Sequence, residues 1–369
     1  MEVHTGTVVP VRSLCPSTST IDHESERKYY WSQLLAYWRL PSHVAHFPGA
    51  NPVSIERADG GRLRSLDFVV ALKTDGVRHI LLLTLKPNSN EPIALMIDRT
   101  QKMYEVQVWA SEEYFVRGTL MDGELVWHDG GLLYVVFDVM LTKGASCVRM
   151  PYRDRLQVLH NTILVAGSSD AAADVERRLA AEDKLVARNN AHGLCILPKR
   201  CVPKENIRSL WDDRHDAAHA NDGLIFTLNG ANVSIGTCDA ILKWKPTHTI
   251  DVQVASGATC ADVERIYVNG NTSGRLIEIT QRCGEYATAF HRNRLIEVIV
   301  DRLPAIVECN VRIEGECMRL TPVRERGDKT APNTMKTVAA TIRNTLEQIS
   351  CEELISMVTG DASRTSGAS

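Results

Sequence analysis

The sequence lacks the features that mark a membrane, secreted or zinc-binding protein. None of its ten cysteines forms a Cys-x-x-Cys pair, so the thiolate clusters of structural zinc sites are missing. No apolar run approaches the roughly 20 residues that span a bilayer, and the first residues contain no basic segment followed by an apolar stretch. Internal repeats and low-complexity blocks are missing too. These absences predict an intracellular chain with reduced, mostly buried thiols, no zinc and no membrane contact.

Neither sign of charge dominates the 369 residues. Lys plus Arg number 42 and Asp plus Glu number 45, which gives a formal net charge of -3. This balance argues against a protein that coats nucleic acid through a broad basic surface, but it suits one that handles a single phosphorylated end. The hydrophobic fraction of 44% and the charged fraction of 24% are those of globular proteins, and the length is comfortable for two domains.

Periodicity predicts an antiparallel, strand-rich core with a few helices in the first two thirds of the chain. Helices are predicted at 24–38, 171–188 and 204–214. In the first of these, four apolar residues share one face: Tyr30, Leu34, Leu35 and Trp38. Strands are predicted at 66–72, 79–85, 93–98, 103–109, 118–127, 132–140, 223–228 and 240–245. Asp-Gly pairs, which favour hairpin turns, occur at 59–60, 75–76, 122–123 and 129–130.

A boundary is predicted at Pro246, after which the pattern starts afresh. Five short strands within about eighty residues suit a small OB-fold barrel, and they are predicted at 249–255, 264–268, 275–280, 305–313 and 318–326. An amphipathic helix follows, whose apolar face holds Met335, Val338, Ile342, Leu346 and Ile349. Ser350 and Glu353 fit a capping box that restarts the helix. We expect an α+β fold with divisions at 1–247, 248–333, 334–359 and a disordered tail at 360–369.

The hexapeptide at 73–78 (Lys-Thr-Asp-Gly-Val-Arg) carries the clearest chemical signal. A lysine at the end of an apolar strand, before a tight Asp-Gly turn, holds its amine near a pocket. Desolvation and neighbouring cations are expected to lower the pKa of Lys73 and make the amine a nucleophile, for instance toward a nucleotide α-phosphate. A solvated hairpin lysine is the alternative if the hexapeptide is taken alone.

Further motifs with candidate site residues follow in order along the chain. Glu124 in Asp-Gly-Glu and Asp222 in Asn-Asp-Gly are carboxylates next to apolar strands, where a ribose or a metal ion could be held. Phe137 lies in an apolar strand and could stack on a base. Lys243 and Lys245 are two apart, so they share one side of a strand and could neutralise a triphosphate. Each piece alone has a structural alternative, namely a surface hairpin or ordinary core.

The last piece is the basic segment at 324–333 (Arg-Glu-Arg-Gly-Asp-Lys-Thr-Ala-Pro-Asn). Arg324 and Arg326 lie on one strand face and Lys329 lies past a turn, a grouping that suits β- and γ-phosphates. A cluster of this kind on its own is more often a solvated face.

The ordered set resembles the covalent nucleotidyltransferase superfamily of mRNA capping guanylyltransferases and polynucleotide ligases. Ligases share the Lys-x-Asp-Gly signal, but Lys-Trp-Lys-Pro at 243–246 and the segment at 324–333 resemble capping enzymes. So do Phe-Pro-Gly-Ala-Asn-Pro-Val-Ser at 47–54 and Ile-Asp-Arg at 97–99. The resemblance runs from about residue 47 to 354. It implies a nucleotidyltransferase domain at 1–247, an OB-fold domain at 248–333 and a C-terminal helix at 334–359, in a compact chain that resembles viral forms.

The resemblance also implies a role for each matching residue. Lys73 would form a covalent lysyl–GMP, Phe137 would stack on guanine, and Asp75 would belong to the nucleotide site. The ribose would be held by Arg78, Arg99 and Glu124, and the α-phosphate by Lys243 and Lys245. The pyrophosphate leaving group would be oriented by Arg324, Arg326, Asp328 and Lys329. Mg²⁺ or Mn²⁺ would be held by Glu124 and Asp222, the latter without the glutamate that usually precedes the glycine of this motif.

The expected reaction is transfer of GMP from GTP to the 5′-diphosphate end of RNA, which gives a GpppN cap and pyrophosphate. Two alternatives stay open, a polynucleotide ligase that uses a lysyl–AMP intermediate and a non-catalytic module that binds RNA ends. A separate RNA triphosphatase, a cap methyltransferase or an RNA polymerase could be partners. The expected location is the nucleus, or a cytoplasmic viral factory or virion if a virus encodes the chain.

Overall fold

The structure, a computed structural model, describes ten stretches of the chain in two compact units. The described residues are 19–108, 110–128, 131–165, 185–187, 194–255, 265–270, 275–279, 304–315, 317–327 and 329–360. The first unit comprises Met1–Val53 and Arg62–Trp244, and the second comprises Ser54–Gly61 and Lys245–Ser369. No helix within the described stretches is long and apolar enough to cross a membrane.

Strands outnumber helices, as the sequence pattern predicted. The strands are β1 (Ser19–Thr20), β2 (Ala50–Ser54), β3 (Phe68–Thr74), β4 (Val77–Leu85), β5 (Pro92–Asp98), β6 (Met103–Val106), β7 (Thr119–His128), β8 (Gly131–Thr142), β9 (Ala145–Ser146), β10 (Ile163–Val165), β11 (Leu185–Ala187), β12 (Cys195–Pro198), β13 (Cys201–Pro203), β14 (Asn221–Leu228), β15 (Gly236–Trp244), β16 (Thr249–Ala255), β17 (Arg265–Asn269), β18 (Leu276–Glu278), β19 (Ala305–Glu314) and β20 (Cys317–Glu325). The helices are α1 (Glu24–Trp38), α2 (Gly60–Ser65), α3 (Glu113–Val116), α4 (Tyr152–Thr162), α5 (Ile207–Asp212), α6 (Met335–Glu347) and α7 (Cys351–Thr359).

Two sheets organise the first unit. The larger follows the order β1-β6-β5-β4-β7-β8-β12 with β9 beside β8, and the smaller follows β13-β3-β14-β15-β2. Side chains alternate along each strand, so Leu82 of β4 packs in the cluster that contains α1 while Leu81 packs in the cluster of the opposite face. The buried face of α1 contains the four predicted residues, Tyr30, Leu34, Leu35 and Trp38. Both faces of the central sheet are therefore covered, which fixes the strand ends that carry the site.

Several local predictions are wrong for identifiable reasons. Asp122-Gly123 lies inside β7, at a register shift opposite β8, and a Cβ on Gly123 would lie 2.6 Å from the Val135 carbonyl oxygen. Asp59-Gly60 leads into α2, and Asp75-Gly76 joins strands of different sheets. Residues 185–187 form β11 rather than helix, and the rest of the helix predicted at 171–188 lies outside the described residues. Helix α4 was not predicted, although Tyr152, Leu156 and Leu159 recur at helical spacing.

The side chain of Lys204 caps the C-terminal end of α2. Its buried ammonium donates to the carbonyl oxygens of Leu63, Arg64 and Leu66 at 2.9, 2.7 and 2.6 Å. Carbonyls in the last turn of a helix have no partner within the helix, so a cation at this position satisfies them.

We expect Lys204→Met to lower the free energy of unfolding by about 2–4 kcal/mol, because it leaves three carbonyls unpaired in a dry site. Thermal and urea unfolding measure this loss. Lys28→Met removes only an exposed ion pair with Glu24 on α1, and it should leave the free energy of unfolding close to that of the parent. Equal effects of the two substitutions would contradict the capping role of Lys204.

The described residues of the second unit from Lys245 onward form a five-stranded antiparallel sheet followed by two helices. The strand order β18-β17-β16-β19-β20 is the order 3-2-1-4-5 that the predicted OB-fold requires. Helix α6 packs on this sheet through the buried Val338, while Leu346, predicted on the same apolar face, is 63% exposed. The Ser350 hydroxyl accepts a hydrogen bond from the Glu353 backbone N–H, which confirms the predicted restart of the helix at α7.

Candidate active site

One cavity of about 290 Å³ in the first unit collects residues that are far apart in sequence. Both sheets contribute to its wall. The predicted site residues that line it are Lys73, Arg78, Arg99, Glu124, Phe137 and Lys243. Six residues that the sequence motifs and the family resemblance indicated therefore surround one space.

Lys73 projects from the end of β3 and forms an ion pair. Its Nζ lies 2.7 Å from Asp222 Oδ1, at the start of β14, and both side chains are half-buried. Burial lowers the pKa of Lys73, but the nearby carboxylates of Asp222, Glu124 and Asp75 together raise the pKa above its ordinary value. The prediction of a lowered pKa is wrong for the ligand-free protein, because the fold places carboxylates rather than cations next to the amine.

Arg78 is fixed at the start of β4. Its Nε donates to Asp122 Oδ1 at 2.9 Å, a second nitrogen pairs with the other carboxylate oxygen, and Nη1 donates to the carbonyl oxygen of Ala50. The guanidinium also lies 5.3 Å from the ring centroid of Phe137 and 5.5 Å from that of Phe47. A Cβ on Gly49 would lie within 2.5 Å of the guanidinium, so the lead-in segment at 47–54 needs glycine to approach it.

Lys199, which the sequence patterns did not indicate, also lines the cavity. Its buried Nζ lies 3.8 Å from Glu124 Oε2, too far for a hydrogen bond, and 5.5 Å from the ring centroid of Phe137. Burial lowers the pKa of Lys199 and outweighs the attraction of Glu124. A buried cation whose counter-ion is too far away for a hydrogen bond marks a place where an anionic or acceptor group of a ligand would fit.

The other predicted cations are divided between the two units. Lys243 lies in β15 and lines the cavity, whereas the strand ends at Trp244 and Lys245 belongs to the second unit. Asp75 donates its backbone N–H to the Ala220 carbonyl at 2.9 Å and is not among the lining residues.

Three predicted phosphate-binding cations of the second unit are paired with buried carboxylates. Arg324 donates to Glu308 at 2.7 Å, and Lys329 donates to Asp251 at 2.6 Å. Arg326 lies between both acids, 3.1 Å from Asp251 and 3.4 Å from Glu308. These acids lie opposite each other on the neighbouring strands β16 and β19, and they hold the cations there. Asp328, also predicted here, lies outside the described residues.

Glu124 and Asp222 suit a divalent cation. Both carboxylates lie close to Lys73, and Glu124 Oε2 is buried without a hydrogen-bond partner among the described residues. No group of three or more His, Cys, Asp or Glu side chains that could hold a metal ion occurs in the described part of the chain. Mg²⁺ is commonly bound by one or two carboxylates together with waters and substrate phosphates, so two carboxylates are sufficient.

Comparisons with known proteins identify a family that the chain resembles. The family pattern described as "mRNA capping enzyme, catalytic domain" matches residues 16–247. The chain is 30% identical over 225 residues to the mRNA-capping enzyme subunit alpha of Schizosaccharomyces pombe. The aligned region covers 56% of this chain and 52% of that protein. The Kluyveromyces lactis subunit is 30% identical over 229 residues, which cover 56% and 47%. The Neurospora crassa subunit is 26% identical over 354 residues, which cover 85% and 84%. The chain thus spans about half the length of the first two relatives.

Proposed function

The chain belongs to the mRNA capping enzyme family, and from that premise we propose that it is a GTP:RNA guanylyltransferase. The observation that carries the proposal is the convergence of Lys73, Glu124 and Phe137 on one cavity with Lys243. Such a cavity supplies a nucleophilic amine, a carboxylate for a metal or ribose, an aromatic face for a base and a cation for phosphate.

The proposed reaction has two steps that share Lys73. In the first, the neutral Nζ attacks the α-phosphorus of GTP, the bond from that phosphorus to the β-bridging oxygen breaks, and pyrophosphate leaves. The amine must lose a proton, and Asp222 Oδ1 at 2.7 Å is placed to accept it. In the second, an oxygen of the 5′-diphosphate of RNA attacks the same phosphorus, the phosphorus–nitrogen bond breaks, and the leaving nitrogen takes back the proton from Asp222, which restores Lys73 and leaves a GpppN end.

The remaining residues would bind and orient the nucleotide. We propose that Phe137 stacks on guanine, that Arg78, Arg99 and Glu124 hold the ribose, and that Lys243 with Lys245 neutralises the α-phosphate. Asp75 would support the turn that presents Lys73. From the second unit, Arg324, Arg326, Asp328 and Lys329 would orient the pyrophosphate, with Asp251 and Glu308 fixing the rotamers of the cations.

A divalent cation, Mg²⁺ or Mn²⁺, completes the proposed site at Glu124 and Asp222. When bound, it supplies charge neutralisation and polarisation at the α-phosphate. The chain's own contribution is to hold the two carboxylates next to Lys73, where each raises the pKa of the amine in the ligand-free state. In this proposal the protein acts inside the cell, on RNA ends that an RNA triphosphatase produces, and its product is the substrate of a cap methyltransferase.

A covalent adduct with the nucleotide tests the proposal directly. Incubated with Mg²⁺ or Mn²⁺ and α-labelled GTP, the protein should retain label through denaturing electrophoresis, and added pyrophosphate should remove the label. Labelled ATP serves as the matched substrate. An adduct with ATP and none with GTP would identify a polynucleotide ligase, and no adduct with either would indicate a module that binds RNA ends without catalysis.

A further inference from the structure

Arg155 of α4 makes a dense set of contacts at the cavity and has no role in the chemistry above. Its Nε and Nη2 donate to the two carboxylate oxygens of Asp138 at 2.7 and 2.9 Å. Its Nη1 donates to the carbonyl oxygens of Met150 and Ala231 at 2.6 and 2.8 Å. The side chain is only 2% exposed.

These bonds join two walls of the cavity. Asp138 follows Phe137 on β8, and the Tyr152 hydroxyl donates to the Phe137 carbonyl oxygen at 3.0 Å. Ala231 belongs to the loop between β14 and β15, whose residues 231–234 also line the cavity. Arg155 therefore ties the backbone that carries the Phe137 ring to the loop at 231–234.

Two polar groups at the same cavity have no hydrogen-bond partner among the described residues. Trp38 and Ser234 both line it, and Trp38 Nε1 and Ser234 Oγ are buried without a hydrogen bond to any residue that the structure describes. Trp38 is 1% exposed. Buried polar groups are nearly always paired, so an unpaired donor and hydroxyl on a cavity wall indicate a ligand with hydrogen-bonding edges. A nucleobase has such edges.

We infer that Asp138 and Arg155 are a positioning pair for the nucleobase, holding the Phe137 ring at a fixed separation from the loop at 231–234. The base lies in that space, and Ser234 contributes a hydrogen bond to it. The inference deepens the proposed function and rests on it. Buried ion pairs seldom stabilise a fold more than apolar side chains of the same size, so a geometric role accounts better for a bidentate pair beside the ring.

The test separates binding from chemistry by measuring GTP affinity calorimetrically in a Lys73→Ala background, where no adduct can form. Arg155→Lys keeps the positive charge but loses the two parallel hydrogen bonds to Asp138. It should weaken GTP binding about tenfold, as expected when the contact between the Phe137 ring and the base is displaced. Ser234→Ala removes only the unpaired hydroxyl and should weaken binding about fivefold. Arg153→Met is the matched control, since Arg153 is on the same helix and exposed, and its GTP affinity should match the parent.

Two further readouts distinguish positioning from simple support of the fold. With Lys73 intact, Arg155→Lys should raise the KM for GTP in adduct formation more than it lowers kcat, and it should reduce the preference for GTP over ITP. If Arg155→Lys fails to fold, Ser234→Ala alone decides. Folded variants that bind GTP within twofold of the parent would overturn the inference. If the unmutated protein, with Lys73 intact, binds GTP but forms no adduct, the proposed reaction is overturned and the inference about Asp138 and Arg155 stands.

Discussion

Lys73→Ala should abolish the covalent GMP adduct, with residual labelling at least about 10⁴-fold below the parent. Among the described residues the cavity wall contains two further lysines, namely Lys199, whose Nζ lies 5.5 Å from the ring centroid of Phe137, and Lys243, to which we assign the neutralisation of the α-phosphate. The measurement is label retained after denaturing electrophoresis, with mass spectrometry of the modified peptide. Lys73→Arg should be equally inactive, because an arginine does not lose its proton in a protein.

The matched control for this result is Lys86→Ala. Lys86 lies just after β4, pairs with Glu91 and Glu105 at the surface, and is not among the residues that line the cavity. It should retain adduct formation within about twofold of the parent. An adduct that persists on Lys73→Ala, or one mapped to a different residue, would contradict the assignment of the nucleophile.

The pKa of Lys73 determines how the rate of adduct formation depends on pH. Only the neutral amine attacks, and the pKa of Lys73 is raised above its ordinary value in the free protein. At every pH below that pKa the neutral fraction grows tenfold per pH unit. The kcat/KM for adduct formation, which reports the free enzyme, should therefore rise between pH 6 and pH 9 with a logarithmic slope of about 1. A plateau below pH 8 would show that the carboxylates do not control the amine.

The error about this pKa shows which parts of the site could be predicted from sequence. Local patterns identify Lys73 as the residue at the end of a strand, because the apolar run and the Asp-Gly turn are adjacent to it. They cannot identify its ion-pair partner Asp222, which is 149 positions away. The sign of a pKa shift depends on such partners, so it follows from the tertiary structure alone.

The same distinction applies to the fold. Helix α1 and the strands of the second unit were predicted because their periodic patterns are local and strong. Lys199 was missed because it belongs to a short Lys-Arg connection at 199–200 between two short strands, β12 and β13, with no motif around it. Leu346 fits the apolar period of α6 but is exposed, because the helix buries only part of that stripe. Spacing determines which residues share a face, whereas the neighbouring elements determine which of them are covered.

Lys199→Met should lower the rate of adduct formation about 10²-fold and yet make the ligand-free protein more stable. The buried ammonium has Glu124 at 3.8 Å as its counter-ion, and burial lowers the pKa of Lys199 below its ordinary value. Replacing it with an apolar side chain of similar length should add about 1 kcal/mol to the free energy of unfolding. This corresponds to an increase in Tm of about 2–4 °C.

The gain in stability should itself depend on pH. Since the folded pKa of Lys199 lies below the unfolded value, the unfolded chain binds the proton more tightly. At neutral pH the charged Lys199 lowers the free energy of unfolding of the parent. This loss disappears as pH rises from the pKa of Lys199 in the folded protein toward the ordinary lysine value near 10.4. The Tm difference between Lys199→Met and the parent should accordingly shrink at alkaline pH.

Lys204→Met supplies the contrast that makes this result interpretable. Both lysines are buried in the first unit, at 5% and 8% exposure, but Lys204 donates to three carbonyls whereas Lys199 lies beside a cavity. Methionine should therefore stabilise the protein at position 199 and destabilise it at 204. Only the change at 199 should impair adduct formation in the protein that remains folded. Loss of stability at both positions would mean that Lys199 supports the fold, and unchanged adduct formation in Lys199→Met would remove it from the site.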